Sequence, residues 1–317
     1  MKSAYADFLA ALTSLREEAA LLPNPTLEQL GNNRSAAHLR LNGLSVVAFT
    51  ALEDFVRRRA FEIVRWLGEQ NIPFAALPAG LQSTILIGTL KGLTFSLDRA
   101  EKVDRAFIVQ LEGMLLGQTG ENGKFVPSEY FFGRSSSNVS DGMIKGLLQA
   151  IGFKEVEAAF SYVGQKFRFS DASKIFDIFD SLAKKRHSAA HTFPLNYLQT
   201  DFSEDVYRRI PVFAACFDVC LSQYAFLHAS DVLAQRNINF KQEEFLGARS
   251  KIRVVEWNSH EKRWDEYLDG HLATHYRGRT AIDKRKSEFR AGTLGRGHSV
   301  LWLDEKNLVV EWHNPVS

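Results

Sequence analysis

Apolar positions recur at steps of three and four along most of this chain. The longest such run spans residues 34–66, where Leu44, Val47, Ala51, Leu52, Phe55, Val56, Phe61, Ile63 and Val64 make one wide helical face. Ahead of it, residues 1–22 read as an amphipathic helix that Pro23-Asn24-Pro25 stops, because proline lacks the N–H and turns its predecessor out of the helical region. A short helix from Thr26 to near Gly31 completes a packing arm. Beyond a break at Pro73 to Pro78, residues 80–116 predict further helices ended by Gly117. Short helical patterns follow at 142–151 and 154–162, and Ser170 or Asp171 is placed to cap another helix. A long helix is expected over about 203–235, capped by Asp201 or Ser203 and bent early by Pro211.

After about Phe245 the period changes to two, with Ile252, Val254 and Trp257, then Val300, Trp302, Leu308, Val310 and Trp312. Residues 300–303 and 308–312, joined by Asp304-Glu305-Lys306-Asn307, predict a β-hairpin. The expected fold is therefore mainly α, with an N-terminal helical arm (1–30), a helical domain (31–240) and a small β-rich C-terminal module (247–317).

Composition narrows the setting. In 317 residues, 45% hydrophobic with 24 Phe, there is ample material for a helical core, and a net charge of +2 means that any basic surface must be local. Cys216 and Cys220 are too few and too close for a disulfide framework and read as buried thiols in a reducing cytoplasm. Arg16, Glu17 and Glu18 interrupt the apolar N-terminus too early for a signal peptide, and no apolar stretch approaches the ~18–20 residues that span a bilayer. A cytoplasmic protein without membrane contact is expected. The run from Gly117 to Phe125 fails the phosphate-loop pattern, with Gln118 and Phe125 where Gly and Ser or Thr belong.

The chemistry concentrates at Lys184-Lys185-Arg186-His187-Ser188-Ala189-Ala190-His191. Ile175, Phe179 and Leu182 define an apolar stripe, and its next position is Arg186. A guanidinium at a core position must reach a partner, an anion or water. His187 and His191, four apart, share a helical face beside small residues that leave room for a ligand. Three uses compete. Two histidines can share a zinc ion, but Ser188, Ala189 and Ala190 bring no glutamate between them and no third ligand is evident. Cations can simply complement a helix C-terminus. Third, an arginine can hold a phosphate while a histidine moves a proton, which is what RNA cleavage through its own 2′-OH requires without any metal or cofactor.

Arg186 followed five positions later by His191, with His187 after the arginine and Ala190 before the final histidine, resembles the RxxxxH signature of the HEPN superfamily (higher eukaryotes and prokaryotes nucleotide-binding domains). Residues 41–55, with Glu53 and Asp54, resemble the first core helix of that superfamily, and Ser137-Asn138-Val139 with Gly146-Leu147-Leu148 and Gly152 is most similar to its RiboL-PSP-HEPN-like branch. The resemblance spans about 34–235 and leaves out the β module.

It implies a helical bundle that pairs as a homodimer with two RxxxxH motifs face to face, and metal-independent endoribonuclease activity used in antiphage defence or as a toxin. It further implies that Arg186 binds phosphate, His191 is the general acid-base and His187 assists. Lys184, Lys185 and Glu53 are added as substrate-side residues, Glu53 either orienting a histidine or joining an intrahelical network with Arg57, Arg58 and Arg59. This chain has His187 where Asn is frequent, and Thr192 where Gly follows the final histidine. RNA and a phage or host trigger or inhibitor protein are the expected partners. The alternative is a non-catalytic HEPN module that binds RNA, a nucleotide or a partner protein. The cations at Arg249, Lys251, Arg253, Lys284, Arg285, Lys286 and Arg290 read as solvated faces or as RNA contacts, with Trp257, Trp264 or Tyr276 able to stack on bases. His271, His275 and His298 lack convincing ligand spacing.

Overall fold

The computed structural model describes residues 3–22, 36–119, 125–134, 138–169, 171–191, 198–236, 242, 245, 251–291, 297–306 and 308–316. Its helical part comprises α1 (Ala4–Leu21), α2 (Ala36–Glu69), α3 (Ala79–Leu97), α4 (Lys102–Gln118), α5 (Asp141–Ala150), α6 (Val156–Lys166), α7 (Ile175–His191), α8 (Gln199–Glu204) and α9 (Ile210–Leu233). The expected Pro23 break, the helix after Thr26, Ser170 and the exit at Thr192-Phe193-Pro194 lie outside the described residues.

The phenylalanines fill the core as their number suggested. Phe49 of α2, Phe179 of α7 and Phe213 of α9 meet in series with tilted rings at centroid distances of 5.2 and 5.0 Å, and Phe160 of α6 meets Phe176 at 4.6 Å. This cluster clamps the first half of α7 between α2 and α9. Cys216 and Cys220 are buried and unpaired, and burial pushes both thiols up.

The apolar length of the 199–233 stretch exceeds the sequence expectation. It is long and apolar enough to cross a membrane, but 89% of its most apolar window is buried inside the protein, where it serves as the central core helix. Between α8 and α9 the helix widens into a π turn over Asp205–Arg209. Pro211 explains part of this, since it offers no N–H to the Tyr207 carbonyl, and the Ile210 N–H bonds to Asp205 instead of Val206. The two released carbonyls are taken by Arg16 of α1, whose Nε donates to Val206 O at 3.2 Å and whose Nη2 donates to Tyr207 O at 3.5 Å. The helix starts at Gln199, before the expected cap, because the Asp201 carboxylate reaches back to the Leu198 N–H at 3.2 Å.

The C-terminal strands β1 (Lys251–Asn258), β2 (Arg263–Leu268), β3 (His271–Tyr276), β4 (His298–Leu303) and β5 (Val309–His313) form one sheet in the order β3-β2-β1-β4-β5. The β4–β5 hairpin is as expected. The parallel β1–β4 pair requires a crossover, supplied by helix α10 (Arg279–Arg290). Alternation assigns the two faces: Ile252, Val254, Leu301 and Leu303 join the helical core, whereas Val255, Val300 and Trp302 pack with Ile282 and Phe289 of α10. The boundary near 247 thus marks a change of secondary structure while packing runs across it. The α1 arm is equally integrated, with Phe8 stacked on Phe55 at 4.5 Å.

The β-module cations are largely committed. Arg253 and Arg285 pair with the fully buried Glu266, and Lys286 and Arg290 pair with Glu311. Burial raises the Glu266 carboxyl, but hydrogen bonds from Arg285, Tyr276 and Arg253 bring it below its ordinary value. Trp257 and Trp264 form a cross-strand pair with ring centroids 5.4 Å apart. Arg249 lies outside the described residues.

Candidate functional site

Helix α7 keeps its stripe to the end. Ile175, Phe179 and Leu182 are buried, and Arg186 follows on the same line, half-buried. Among the described residues its Nε is buried without a hydrogen-bond partner. Leaving such a donor dry costs about 1–3 kcal/mol and more for a charged group, so the position favours an arriving acceptor. The nearby charge is Glu53 of α2, which is 3% exposed. Its Oε1 accepts the Val139 N–H at 2.7 Å and lies 4.0 Å from Arg57. Burial pushes the Glu53 carboxyl up, while the Val139 N–H and the charges of Arg57 and Arg186 pull it down; burial prevails. Glu53 thus joins the α2 cations to the α7 motif, rather than touching either imidazole.

His187 and His191 are exposed on the last turn of α7, their ring centroids 4.7 Å apart at 50°. Ser188 and Ala189 beside them are half-buried and leave the rings uncovered. Among the described residues no group of three His, Cys, Asp or Glu side chains is placed to hold a metal ion. The two lysines diverge. Lys184 points into solvent and pairs with Asp180 one turn back at 2.6 Å. Lys185 reaches the opposite way to Asp205 of the π turn at 2.7 Å, a carboxylate that is 1% exposed and also holds Arg209. The π turn therefore anchors α7 one residue before Arg186.

The structure thus brings Arg186, Glu53, His187 and His191 to one end of α7, places Lys185 in an anchoring pair, and leaves Lys184 on the outer face. The first Ser-Ala-Ala-His copy ends in His38, which is buried. The α2 arginines are not simply an intrahelical network. Arg57 donates to the Gly133 carbonyl, Arg58 pairs with Asp7 at 2.8 Å, and Arg59 pairs with Asp218 of α9 at 2.7 Å. Helical spacing marks Glu53–Arg57, Asp54–Arg58 and Arg59–Glu62, whereas the cross-helix partners Asp7 and Asp218 were invisible to that reading. Arg134, whose charge acts on Arg57 and which lines two clefts with it, was also missed, and no local spacing marks it. No protein-family model, curated protein or solved structure matches this chain.

Proposed function

We propose that the chain is a metal-independent endoribonuclease whose active site is completed by a second copy of itself. The observation that carries the reading is Arg186, half-buried with an unpartnered Nε, on the same helix end as two exposed imidazoles. In this mechanism Arg186 binds a non-bridging phosphate oxygen and stabilises the charge that grows there in the transition state. His191 takes the 2′-OH proton, the 2′-oxygen bonds to phosphorus, and the P–O5′ bond breaks. The departing 5′-oxygen receives its proton from an imidazole of the facing copy, and His187 assists either transfer. The products are a 2′,3′-cyclic phosphate and a 5′-OH end. An exposed helix end cannot by itself exclude water from the developing charge, which is why a second surface belongs in the reading. Antiphage defence or a toxin role fits such an activity, with RNA as substrate and a trigger or inhibitor protein restraining it.

The test is incubation of purified protein with tRNA or total RNA in EDTA, followed by end analysis and sedimentation. Fragments with cyclic phosphate ends, lost in Arg186→Ala and His191→Ala, support the reading. A second reading, a binding module without catalysis, is favoured by one observation: among the described residues neither imidazole has a hydrogen-bond partner to fix its tautomer. It predicts salt-sensitive RNA binding with no cleavage under any trigger.

A further inference from the structure

A second constellation lies on the other side of Glu53. The segment 125–134 runs against α2 and α3 backbone to backbone: a Cβ on Gly88 would sit 2.0 Å from the Phe131 carbonyl oxygen, and one on Gly92 2.2 Å from that of Tyr130. Glycines four apart on α3 cut a groove that seats this segment. At its end Gly133 adopts φ +70°, turning the chain over Arg57 so that Arg57 Nε donates to Gly133 O at 2.9 Å. A Cβ at Gly133 would lie 2.7 Å from Arg57 Cγ. This geometry delivers Arg134 beside Arg57, and the two guanidinium side chains line two clefts together.

One cleft, about 470 Å³, adds Arg99, Phe95 and Tyr130, and among the described residues that line it there is no carboxylate. The other, about 430 Å³, adds Arg58 and Arg65 and is tempered by Glu62 and Glu129. Arg99 lies over the Phe95 ring, 3.5 Å from its centroid, and donates to the Phe95 carbonyl at 2.9 Å, which fixes a flat cationic surface. Arg134 and Arg99 are exposed, so core packing does not account for gathering three like charges around one cavity. Clefts of this size that combine guanidinium groups with aromatic rings match a ligand that carries both a phosphate and a flat ring.

We propose that the clefts flanking Arg57 and Arg134 bind a nucleoside phosphate, with the arginines on the phosphate oxygens and the Phe95–Tyr130 side against the base. The ligand is a free nucleotide or a unit of an RNA strand, and the site does not depend on the cleavage reading.

Calorimetric titration of the full chain with orthophosphate, 5′-UMP and a single-stranded RNA of about 12 nucleotides distinguishes the sources. Arg134→Gln and Arg99→Gln remove exposed side chains, and unchanged thermal melting checks that the variants fold. Each substitution is expected to weaken UMP binding about tenfold, as loss of a charge-assisted contact does. UMP bound as tightly as RNA assigns the site to a free nucleotide; RNA bound far more tightly, with a steep salt dependence, assigns it to a strand. Absence of UMP and RNA binding, equal affinities in wild type and both variants, or orthophosphate bound as tightly as UMP overturns the proposal. Protein that binds UMP but cuts no RNA under any trigger keeps this inference and loses the ribonuclease reading; protein that cuts RNA without arginine-dependent binding does the reverse.

Discussion

Two arginines set beside acidic residues, Arg59 and Arg186, end in opposite conditions. Arg59 is 3% exposed and every nitrogen of its guanidinium is used: Nε donates to Asp218, Nη1 to Glu62, and Nη2 to Ser222 and the Val316 carbonyl. Asp218 in turn accepts from Trp312 Nε1 at 2.8 Å, and the Trp312 N–H donates to the Tyr5 hydroxyl at 3.0 Å. One satisfied network thereby ties α1, α2, α9 and β5 together. Arg186 has a buried Nε with no acceptor among the described residues, and Glu53 is its nearby charge. Satisfaction separates the two: Arg59 closes a network that holds the fold, whereas Arg186 keeps a donor unused.

The comparison is sharpest in stability. Asp218→Ala strands Arg59 inside the core and should destabilise by about 3–5 kcal/mol, read by denaturant unfolding. Trp312→Ala, which removes a buried ring and a donor to Asp218, should cost about 3–5 kcal/mol by the same measurement. Arg186→Ala should cost less than about 1 kcal/mol, because it deletes an unsatisfied donor rather than stranding one. Equal losses at Asp218 and Arg186 would erase the distinction.

Glu53 lies between these extremes. Glu53→Ala leaves the Val139 N–H unpaired and should cost about 2 kcal/mol. Glu53→Gln keeps an acceptor there and, since burial has raised the native carboxyl, removes a charge whose penalty grows as pH rises through that raised value. The Gln variant should therefore lie closest to wild type in acid and gain on it towards neutral pH, as unfolding curves at several pH values would show.

A separate, pH-dependent effect sits in the sheet. Burial, with the charges of Arg253 and Lys251, pushes the His298 imidazole down to about 4, and Arg253 Nε donates to its Nδ1 at 2.7 Å. The unfolded chain binds this proton near pH 6.5 and the folded chain near 4, so stability should fall as pH drops through that window. His298→Gln should flatten the slope there, and an unchanged slope would remove His298 from the account.

The α7 stripe, its interruption by Arg186 and the sharing of one face by His187 and His191 were legible in sequence because each follows from helical spacing alone. The β4–β5 hairpin was legible from period two. The β2–β3 hairpin was not read, although Asp269-Gly270 was its signal, both residues taking positive φ of 52° and 86°. Helix α10 was hidden because its pattern is dominated by cations that pair with strand glutamates distant in sequence. Arg59 and Lys185 found partners on elements far along the chain, Asp218 and Asp205, and local charge spacing carries no information about those. The Arg57–Arg134 clefts depended on backbone contact at Gly88 and Gly92, a property of three-dimensional packing.

The central claim is that Arg186 acts on phosphate at a site using imidazole proton transfer. Its most direct measurement is RNA cleavage in EDTA by wild type, Arg186→Ala and His191→Ala, each verified as folded by thermal melting. Cyclic phosphate ends from wild type alone are the expected result, and equal cleavage by all three proteins would contradict it.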